Sequence, residues 1–255
     1  MIEIRSLSFG YENQARIFSS FGWEIQRGDT WAVVGPSGSG KTSLLYLLAG
    51  LVTPLEGEVL IEGVPVTRPR PRTGLILQEY GLLPWLTVEE NAALGFRVRD
   101  FYGPDGRHAP AEPSQTGDIR PWLERLGIEH LAARYPSQIS GGERQRAAIC
   151  RTLALHPDLL LMDEPFSSLD AVTTENLQSL ILDLCSEHGI TLVIVTHAIE
   201  EAAAIGKKIL FLKRPPNARP RIIENPSAGK AHFQHTDAFR TMCGRIREEL
   251  GDETP

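Results

Sequence analysis

The segment 31–43, WAVVGPSGSGKTS, contains residues whose types and spacing indicate phosphate chemistry. Residues 35–42 fit the pattern G-x-x-x-x-G-K-[ST], between an apolar run typical of a buried strand and a run of good helix formers. Glycines let the backbone curl so that several N–H groups point inward, and a helix N-terminus adds positive potential. Lys41 can reach the β- and γ-phosphates, and the Thr42 hydroxyl can ligate Mg²⁺. The flanking strand and helix favour a phosphate-binding loop over a turn that is merely rich in glycine and serine.

Three further apolar runs end at polar side chains that suit nucleotide chemistry. One run ends at Gln78, a second ends at the two carboxylates of Asp163 and Glu164, and a third ends at His197. In a parallel α/β sheet, ligands bind outside the carboxyl ends of the strands. We therefore expect these side chains to converge with the glycine-rich loop on one nucleotide phosphate.

Several motifs occur along the chain in an order that resembles the ATP-binding subunit of an ABC transporter. The resemblance runs from about Ile2 to Leu212, and the segment ISGGE at 139–143 is its most informative part, because ordinary P-loop kinases and GTPases lack it. The motifs are the phosphate loop, Gln78, ISGGE, LLLMDEP at 159–165, SSLD at 167–170 and His197.

This resemblance implies how ATP and Mg²⁺ are held. Tyr11 stacks on the adenine, Thr42 and Gln78 ligate Mg²⁺, and Asp163 supports the metal through water. A surface tyrosine stays open as the alternative for Tyr11. The residues implied to hold the phosphates are Gly35, Pro36, Ser37, Gly38, Ser39, Gly40, Lys41, Thr42 and Ser43.

The resemblance also implies the catalytic residues. Glu164 polarises the attacking water, and His197 contacts the γ-phosphate and keeps water and base in line. A helix-capping acid and a core histidine are the plainer alternatives for these two positions.

A head-to-tail dimer with two ATP molecules at its interface is implied as well. Ser140, Gly141 and Gly142 meet the γ-phosphate bound by the other subunit, and Asp170 helps to join the two sites. A simple turn for 140–142 and an N-cap for Asp170 remain the alternatives.

Three positions depart from the family pattern. The signature usually begins with Leu and ends with Gln, where this chain has Ile139 and Glu143, and the family often has Asp after the histidine, where this chain has Ala198. Glu143 adds a negative charge near a triphosphate and is expected to weaken the closed dimer. The catalytic residues are intact, so an active ATPase is still expected.

The segment EYGLLPWL at 79–86 resembles the same region in importers of nitrate, alkanesulfonates, taurine and thiamine precursors. In such transporters the groove beside Gln78 receives a helix of a separate transmembrane permease, which a substrate-binding protein supplies with solute. Tyr80, Leu82, Leu83 and Trp85 are the candidates for that apolar surface; packing in the core of their own lobe is the alternative. The resemblance implies import of a small anionic or thiamine-precursor-like solute, powered from the cytoplasmic face of the membrane.

The arrangement of strands and helices that must position these motifs predicts an α/β fold. We expect a P-loop NTPase core with a mostly parallel sheet flanked by helices, an antiparallel β subdomain and an inserted α-helical subdomain. The ATP-binding domain is expected to span 1–213, with the helical lobe at about 79–157 and a partly helical tail at 214–255. Within the lobe, the glycines and prolines of 97–116 predict a loop, and apolar spacing predicts a helix over 119–133.

Composition limits the class of protein. A net charge of −6 argues against a nucleic-acid partner, which calls for a basic face. The three cysteines show neither metal spacing nor a disulfide framework, and neither a signal peptide nor an apolar run of about 20 residues is evident. An exporter-type ABC ATPase, a soluble ABC ATPase acting on DNA or ribosomes, and a P-loop kinase remain as alternative functions.

Overall fold

A computed structural model describes residues 1–12, 15–102, 117–230 and 232–251. The chain divides into two compact units, the first built from 1–68 and 181–255 and the second from 69–180. The tail that begins at 214 thus belongs to the first unit. Among the residues that the structure describes, no helix has the length and apolar character needed to cross a bilayer.

The elements are numbered in chain order. The strands are β1 (Ile2–Phe9), β2 (Phe18–Ile25), β3 (Thr30–Val34), β4 (Glu56–Ile61), β5 (Val64–Pro65), β6 (Thr73–Ile76), β7 (Leu159–Asp163), β8 (Thr191–Val195), β9 (Lys208–Phe211) and β10 (Arg221–Glu224). The helices are α1 (Lys41–Ala49), α2 (Val88–Tyr102), α3 (Arg120–Arg125), α4 (Gly141–Leu153), α5 (Ala171–His188), α6 (Ile199–Ile205) and α7 (Asp237–Gly251).

The first unit contains two sheets of different character. An antiparallel sheet has the order β2-β1-β4-β5, and its strands alternate between buried and exposed positions. In the other sheet β3 pairs in parallel with both β8 and β9, and β10 adds antiparallel to β9. All residues of β3 and β8 are buried, as expected for β-branched strands covered on both faces.

The tail contributes to this second sheet. β10 pairs with β9 through Ile223 opposite Ile209, and α7 packs against α6 through a face that buries Phe239, Met242 and Ile246. The tail is therefore integrated with the strands that carry the phosphate loop.

The second unit pairs β6 with β7 in parallel and packs α2 and α3 against α4. A reciprocal capping box begins α2: the Thr87 backbone N–H donates to the Glu90 carboxylate, and the Glu90 N–H donates to the Thr87 hydroxyl. Together with the mixed sheet of the first unit, this arrangement confirms the predicted α/β fold class.

Two local predictions were wrong. The loop expected from 97 is helical as far as Tyr102, because the first helix-breaking residue in this stretch is Gly103; residues 103–116 lie outside the described part of the chain. The helix expected over 119–133 ends at Arg125, because Gly127 has φ 68° and turns the chain into a short 3₁₀ segment.

Candidate functional site

The glycine-rich loop lies between β3 and α1, as the sequence predicts. Gly40 precedes α1 with φ 100°, and any side chain there would overlap Ile17, so this position requires glycine. The Ser39 N–H donates to the Pro36 carbonyl (3.2 Å), and the Leu44 N–H donates to the Gly40 carbonyl (2.8 Å). The loop therefore curls tightly over the first turn of the helix.

Charge and polar groups at this loop fit a phosphate. The Lys41 ammonium donates to the carbonyls of Gly35 (2.8 Å) and Pro36 (3.0 Å), which bends its side chain back along the loop. The Ser39 hydroxyl is buried and finds no hydrogen-bond partner within the described chain. A cation, a helix N-terminus and an unsatisfied hydroxyl together make a cradle suited to an anion.

Tyr11 stands beside this loop. Its hydroxyl is 3.2 Å from the Ser43 hydroxyl, and its ring forms a T-shaped pair with Phe9, with the centroids 5.1 Å apart. The side chain is 42% exposed, so much of the ring remains open to a stacking partner.

His197 leaves the same edge of the sheet as the phosphate loop, because β3 and β8 are parallel neighbours with Val33 opposite Val195. His197 is exposed and lies within a turn that the Thr196 hydroxyl holds. This hydroxyl donates to the Glu201 carboxylate (2.6 Å) and accepts from the Ala198 N–H (3.0 Å). The predicted strand-end position of the histidine is therefore observed, and the core-histidine alternative is wrong.

The second unit brings the other polar strand ends together. β6 and β7 are parallel with Ile76 opposite Met162, so exposed Gln78 and the pair of Asp163 and Glu164 leave the same edge. Asp163 is buried, whereas Glu164 is half-buried and has φ 45°, an unusual backbone conformation for a glutamate. Such strained residues concentrate at functional sites, where the surrounding structure holds them.

The ISGGE segment begins α4 in the same unit. Ser140 is the N-cap, and Gly141 and Gly142 form the first turn, where backbone N–H groups favour an anion. The Glu143 carboxylate accepts from the Ser140 N–H (2.7 Å) and hydroxyl (2.8 Å), and these hydrogen bonds lower its pKa below the ordinary 4.5.

Asp170 caps α5 through its side chain, which accepts from the Thr173 N–H (3.0 Å). Hydrogen bonds from the Thr173 side chain and backbone lower the pKa of Asp170. This is the N-cap role that the sequence left open, and it leaves the side chain exposed.

The segment 79–86 is held firmly and exposes one aromatic side chain. The Asn91 amide donates to the carbonyls of Leu83 and Leu86 (3.0 Å each) and accepts from the Leu83 N–H. Tyr80 is buried, with its hydroxyl bonded to Ser168, whereas Trp85 is 69% exposed. Of the four predicted surface residues, Tyr80 thus packs inside its unit and Trp85 faces outward.

Sequence reasoning missed Asn217, which lies in the proline-rich stretch after β9. Its side-chain amide donates to the Ser39 carbonyl of the phosphate loop at 3.0 Å. No local sequence signal distinguishes this asparagine, because its partner lies 178 positions away in the chain.

A glycine-rich loop between a parallel strand and a helix, with lysine and threonine at its end, defines a P-loop nucleotide-binding protein. The family model described as "ABC transporter" matches residues 18–167, more than half of the chain. The chain belongs to the ABC transporter family, and it is an ATP-binding domain that hydrolyses ATP.

Known relatives are similar over nearly the whole chain. The aliphatic sulfonates import ATP-binding protein of Bacillus cereus is 37% identical over 92% of this chain and 88% of its own length. The taurine import ATP-binding protein of Pseudomonas aeruginosa is 35% identical over 98% of this chain and 94% of its own. The solved dimer of the ATP-binding cassette MJ0796 with ADP and Pi is 29% identical over 88% of this chain and 98% of its own, with a TM-score of 0.73.

Proposed function

We propose that this chain powers import of a small anionic solute through separate transmembrane subunits, acting as a peripheral protein at the cytoplasmic face of the membrane. The observation that carries the proposal is a set of ATPase residues at strand ends combined with an exposed aromatic loop that follows Gln78 directly. Import ATP-binding proteins at 35–37% identity support the direction of transport.

The nucleotide is held by residues at the strand ends. The loop 35–43 binds the phosphates with Lys41 as counter-charge, and Tyr11 stacks on adenine. Thr42 and Gln78 offer a hydroxyl and an amide oxygen, hard neutral donors that would hold Mg²⁺, and the Asp163 carboxylate would support the ion. The chemistry that Mg²⁺ supplies when bound is neutralisation of charge on the phosphate oxygens.

Hydrolysis then depends on two side chains. Glu164 accepts a hydrogen bond from the attacking water and polarises it, and His197 orients the γ-phosphate and keeps water and base in line. The water oxygen forms a bond to the γ-phosphorus while the bond to the leaving ADP oxygen breaks, and the water proton is released through the carboxylate.

Two copies of the chain form a head-to-tail dimer with two ATP molecules. Ser140, Gly141 and Gly142 at the start of α4 meet the γ-phosphate held by the other copy, where helix N-terminal N–H groups stabilise its charge. Binding of ATP closes this dimer and hydrolysis reopens it. The solved MJ0796 cassette, which is dimeric in a post-hydrolysis state with ADP and Pi bound, supports this arrangement.

The loop 79–86 receives a helix of the permease. Trp85 is the expected anchor, because a large aromatic side chain in a rigid loop contributes strongly when a partner buries it. Leu82 and Leu83 are partly exposed beside it, whereas buried Tyr80 supports the loop from within. Movement of the closing dimer passes through this contact to the channel.

For the solute, an organic sulfonate is the first candidate, since relatives named for sulfonate and taurine import support it. A thiamine precursor has no support among the relatives described above. A substrate-binding protein outside the membrane would deliver the sulfonate to the permease.

The test is a pull-down of the tagged chain from membranes of its own cells in mild detergent. We expect a polytopic membrane protein with the wild type, and at least roughly tenfold less of it with Trp85→Ala, because aromatic anchors contribute about 2 kcal/mol or more. Leu55→Ala is the matched control, since Leu55 is 62% exposed in the other unit and should retain the partner.

Other outcomes would separate the alternatives. An associated exporter would overturn the direction of transport, and recovery of only DNA-bound or ribosomal proteins would overturn the transporter role. Stimulation of ATP hydrolysis in the reconstituted complex by a sulfonate-loaded binding protein would identify the solute class.

A further inference from the structure

The buried Asn217 joins three separate segments of the first unit. Its backbone N–H donates to the Ile17 carbonyl (2.8 Å), and its backbone carbonyl accepts from the Ser19 N–H (2.9 Å), which attaches the tail to the start of β2. Its side-chain oxygen accepts from the Lys213 N–H (2.7 Å). Its side-chain nitrogen reaches the Ser39 carbonyl (3.0 Å) and the Lys213 carbonyl (3.2 Å).

The bond to Ser39 bears on the phosphate loop. In a trans peptide the C=O and the following N–H point in opposite directions. Because Asn217 holds the Ser39 carbonyl, the Gly40 N–H of the same peptide is directed away from Asn217. In a phosphate loop, the backbone N–H groups are the ligands of the phosphate oxygens.

The segment that Asn217 attaches to the tail also touches the loop. A side chain at Gly40 would overlap Ile17 and would come within 3.2 Å of the Phe18 ring, so the start of β2 packs directly against that glycine. Asn217 binds the backbone at Ile17 and at Ser39, and thereby fixes both the loop and the segment behind it.

We propose that Asn217 is a positioning residue of the ATP site, which orients the peptide between Ser39 and Gly40 for the nucleotide phosphates. The tail after β9 thus takes part in nucleotide affinity through the peptide between Ser39 and Gly40. This inference rests on the proposed phosphate-binding role of residues 35–43.

Asn225 offers a matched control in the same tail. It is equally buried, and its side-chain amide donates to two backbone carbonyls, those of Ala203 (2.8 Å) and Gly206 (3.0 Å), away from the phosphate loop. The Asn217 side chain makes more hydrogen bonds than the Asn225 side chain, so Asn217→Ser should lose more stability than Asn225→Ser. Both variants lose buried hydrogen bonds, but only Asn217→Ser should lose nucleotide affinity.

The experiment compares Asn217→Ser and Asn225→Ser in the full chain, at a temperature where both are folded. Asparagine and serine are both uncharged. A change in ATP affinity therefore reflects where the lost amide hydrogen bonds lie relative to the phosphate loop, and not a new charge near the phosphates. For Asn217→Ser we expect KM and Kd for ATP to rise roughly tenfold, the effect of losing one buried hydrogen bond, with kcat within about twofold of the wild type. Asn225→Ser should keep wild-type KM and Kd.

Amide hydrogen exchange of the wild type tests the same coupling without a variant. Since coupling between two sites is reciprocal, ATP should slow exchange at the Asn217 and Ser19 N–H groups more than at the Asn225 N–H. This measurement decides the matter even where Asn217→Ser does not fold.

The inference is overturned by an unchanged ATP affinity in Asn217→Ser, by an equal loss in both variants, or by equal protection of all three amides. A wild-type chain that binds no ATP would instead overturn the phosphate-binding role itself. The two failures are therefore distinct.

Discussion

The Glu143 carboxylate accepts a hydrogen bond from the Ser140 hydroxyl, with the two oxygens 2.8 Å apart, and a second from the Ser140 backbone nitrogen at 2.7 Å. These hydrogen bonds lower the pKa of Glu143, so a full negative charge stands in the first turn of α4 at neutral pH. A carboxylate there stabilises the helix, because it opposes the positive N-terminal end of the dipole. In the proposed head-to-tail dimer, the same charge would repel the triphosphate held by the other copy.

Glu143→Gln is expected to strengthen ATP-dependent dimerisation by roughly two- to fivefold. The amide oxygen can still accept from Ser140, while the variant loses the negative charge that the proposed dimer places near the other copy's γ-phosphate. Sedimentation with ATP at two salt concentrations measures this, and the gain should shrink as salt screens the charge. Glu124→Gln, an exposed change on α3, is the control. Weaker dimerisation of Glu143→Gln would contradict a repulsive role.

Glu164→Gln should reduce ATP turnover by at least roughly 10²-fold, the usual effect of losing a general base. The amide is similar in size and keeps the φ 45° backbone, so nucleotide binding should persist. Single-turnover hydrolysis and a separate binding titration distinguish the two effects. Near-normal hydrolysis would remove Glu164 from the base role.

A buried ion pair in the second unit is expected to contribute to stability. The Arg70 guanidinium contacts both Asp158 carboxylate oxygens at 3.1 Å, and Asp158 is buried. Asp158→Asn should lower the free energy of unfolding by about 1.5–3 kcal/mol, because hydrogen bonds to charged groups contribute about that much. Urea unfolding followed by circular dichroism measures the change.

The control for that pair is Asp237→Asn. Asp237 contacts Arg240 at 2.7 Å, but both side chains are largely exposed, so the loss should stay below about 1 kcal/mol. An equal loss of unfolding free energy in the two variants would show that burial of the Arg70–Asp158 pair does not increase its contribution to stability.

Two buried thiols should make stability fall at high pH. Burial raises the pKa of Cys150 and of Cys185 from 9.0 to about 12. Below pH 9 both thiols stay protonated in the folded and the unfolded chain, and their protonation favours neither. Between about pH 9 and 12 the unfolded chain releases protons that the folded chain retains, so the free energy of unfolding declines as pH rises, by up to about 1.4 kcal/mol per pH unit and thiol.

Urea unfolding between pH 8 and 10.5 measures this decline. The variant with Cys150→Ala and Cys185→Ala is the control, since it keeps the lysines and tyrosines that titrate in the same range. Its stability should fall less steeply with pH than that of the wild type. Parallel curves would show that the thiols do not titrate differently in the two states.

Local pattern determined much of this protein. Residues 31–43 specify strand, loop and helix by themselves, because the strand run, the glycines and the helix formers are adjacent in the chain. The same holds for His197 at the end of β8 and for the acidic pair at the end of β7, where an apolar run ends at a polar residue. These signals depend only on residues that are adjacent in the sequence, so they can be interpreted without knowledge of the tertiary structure.

Tertiary structure alone decided which surfaces are covered. The apolar stretch 79–86 does not indicate that Tyr80 packs inward while Trp85 faces outward, because both side chains are large and aromatic. The polar tail does not reveal β10, whose pairing depends on the free edge of β9. Nor could Asn217 be matched with Ser39, since a hydrogen bond across 178 positions exists only after distant segments have folded together.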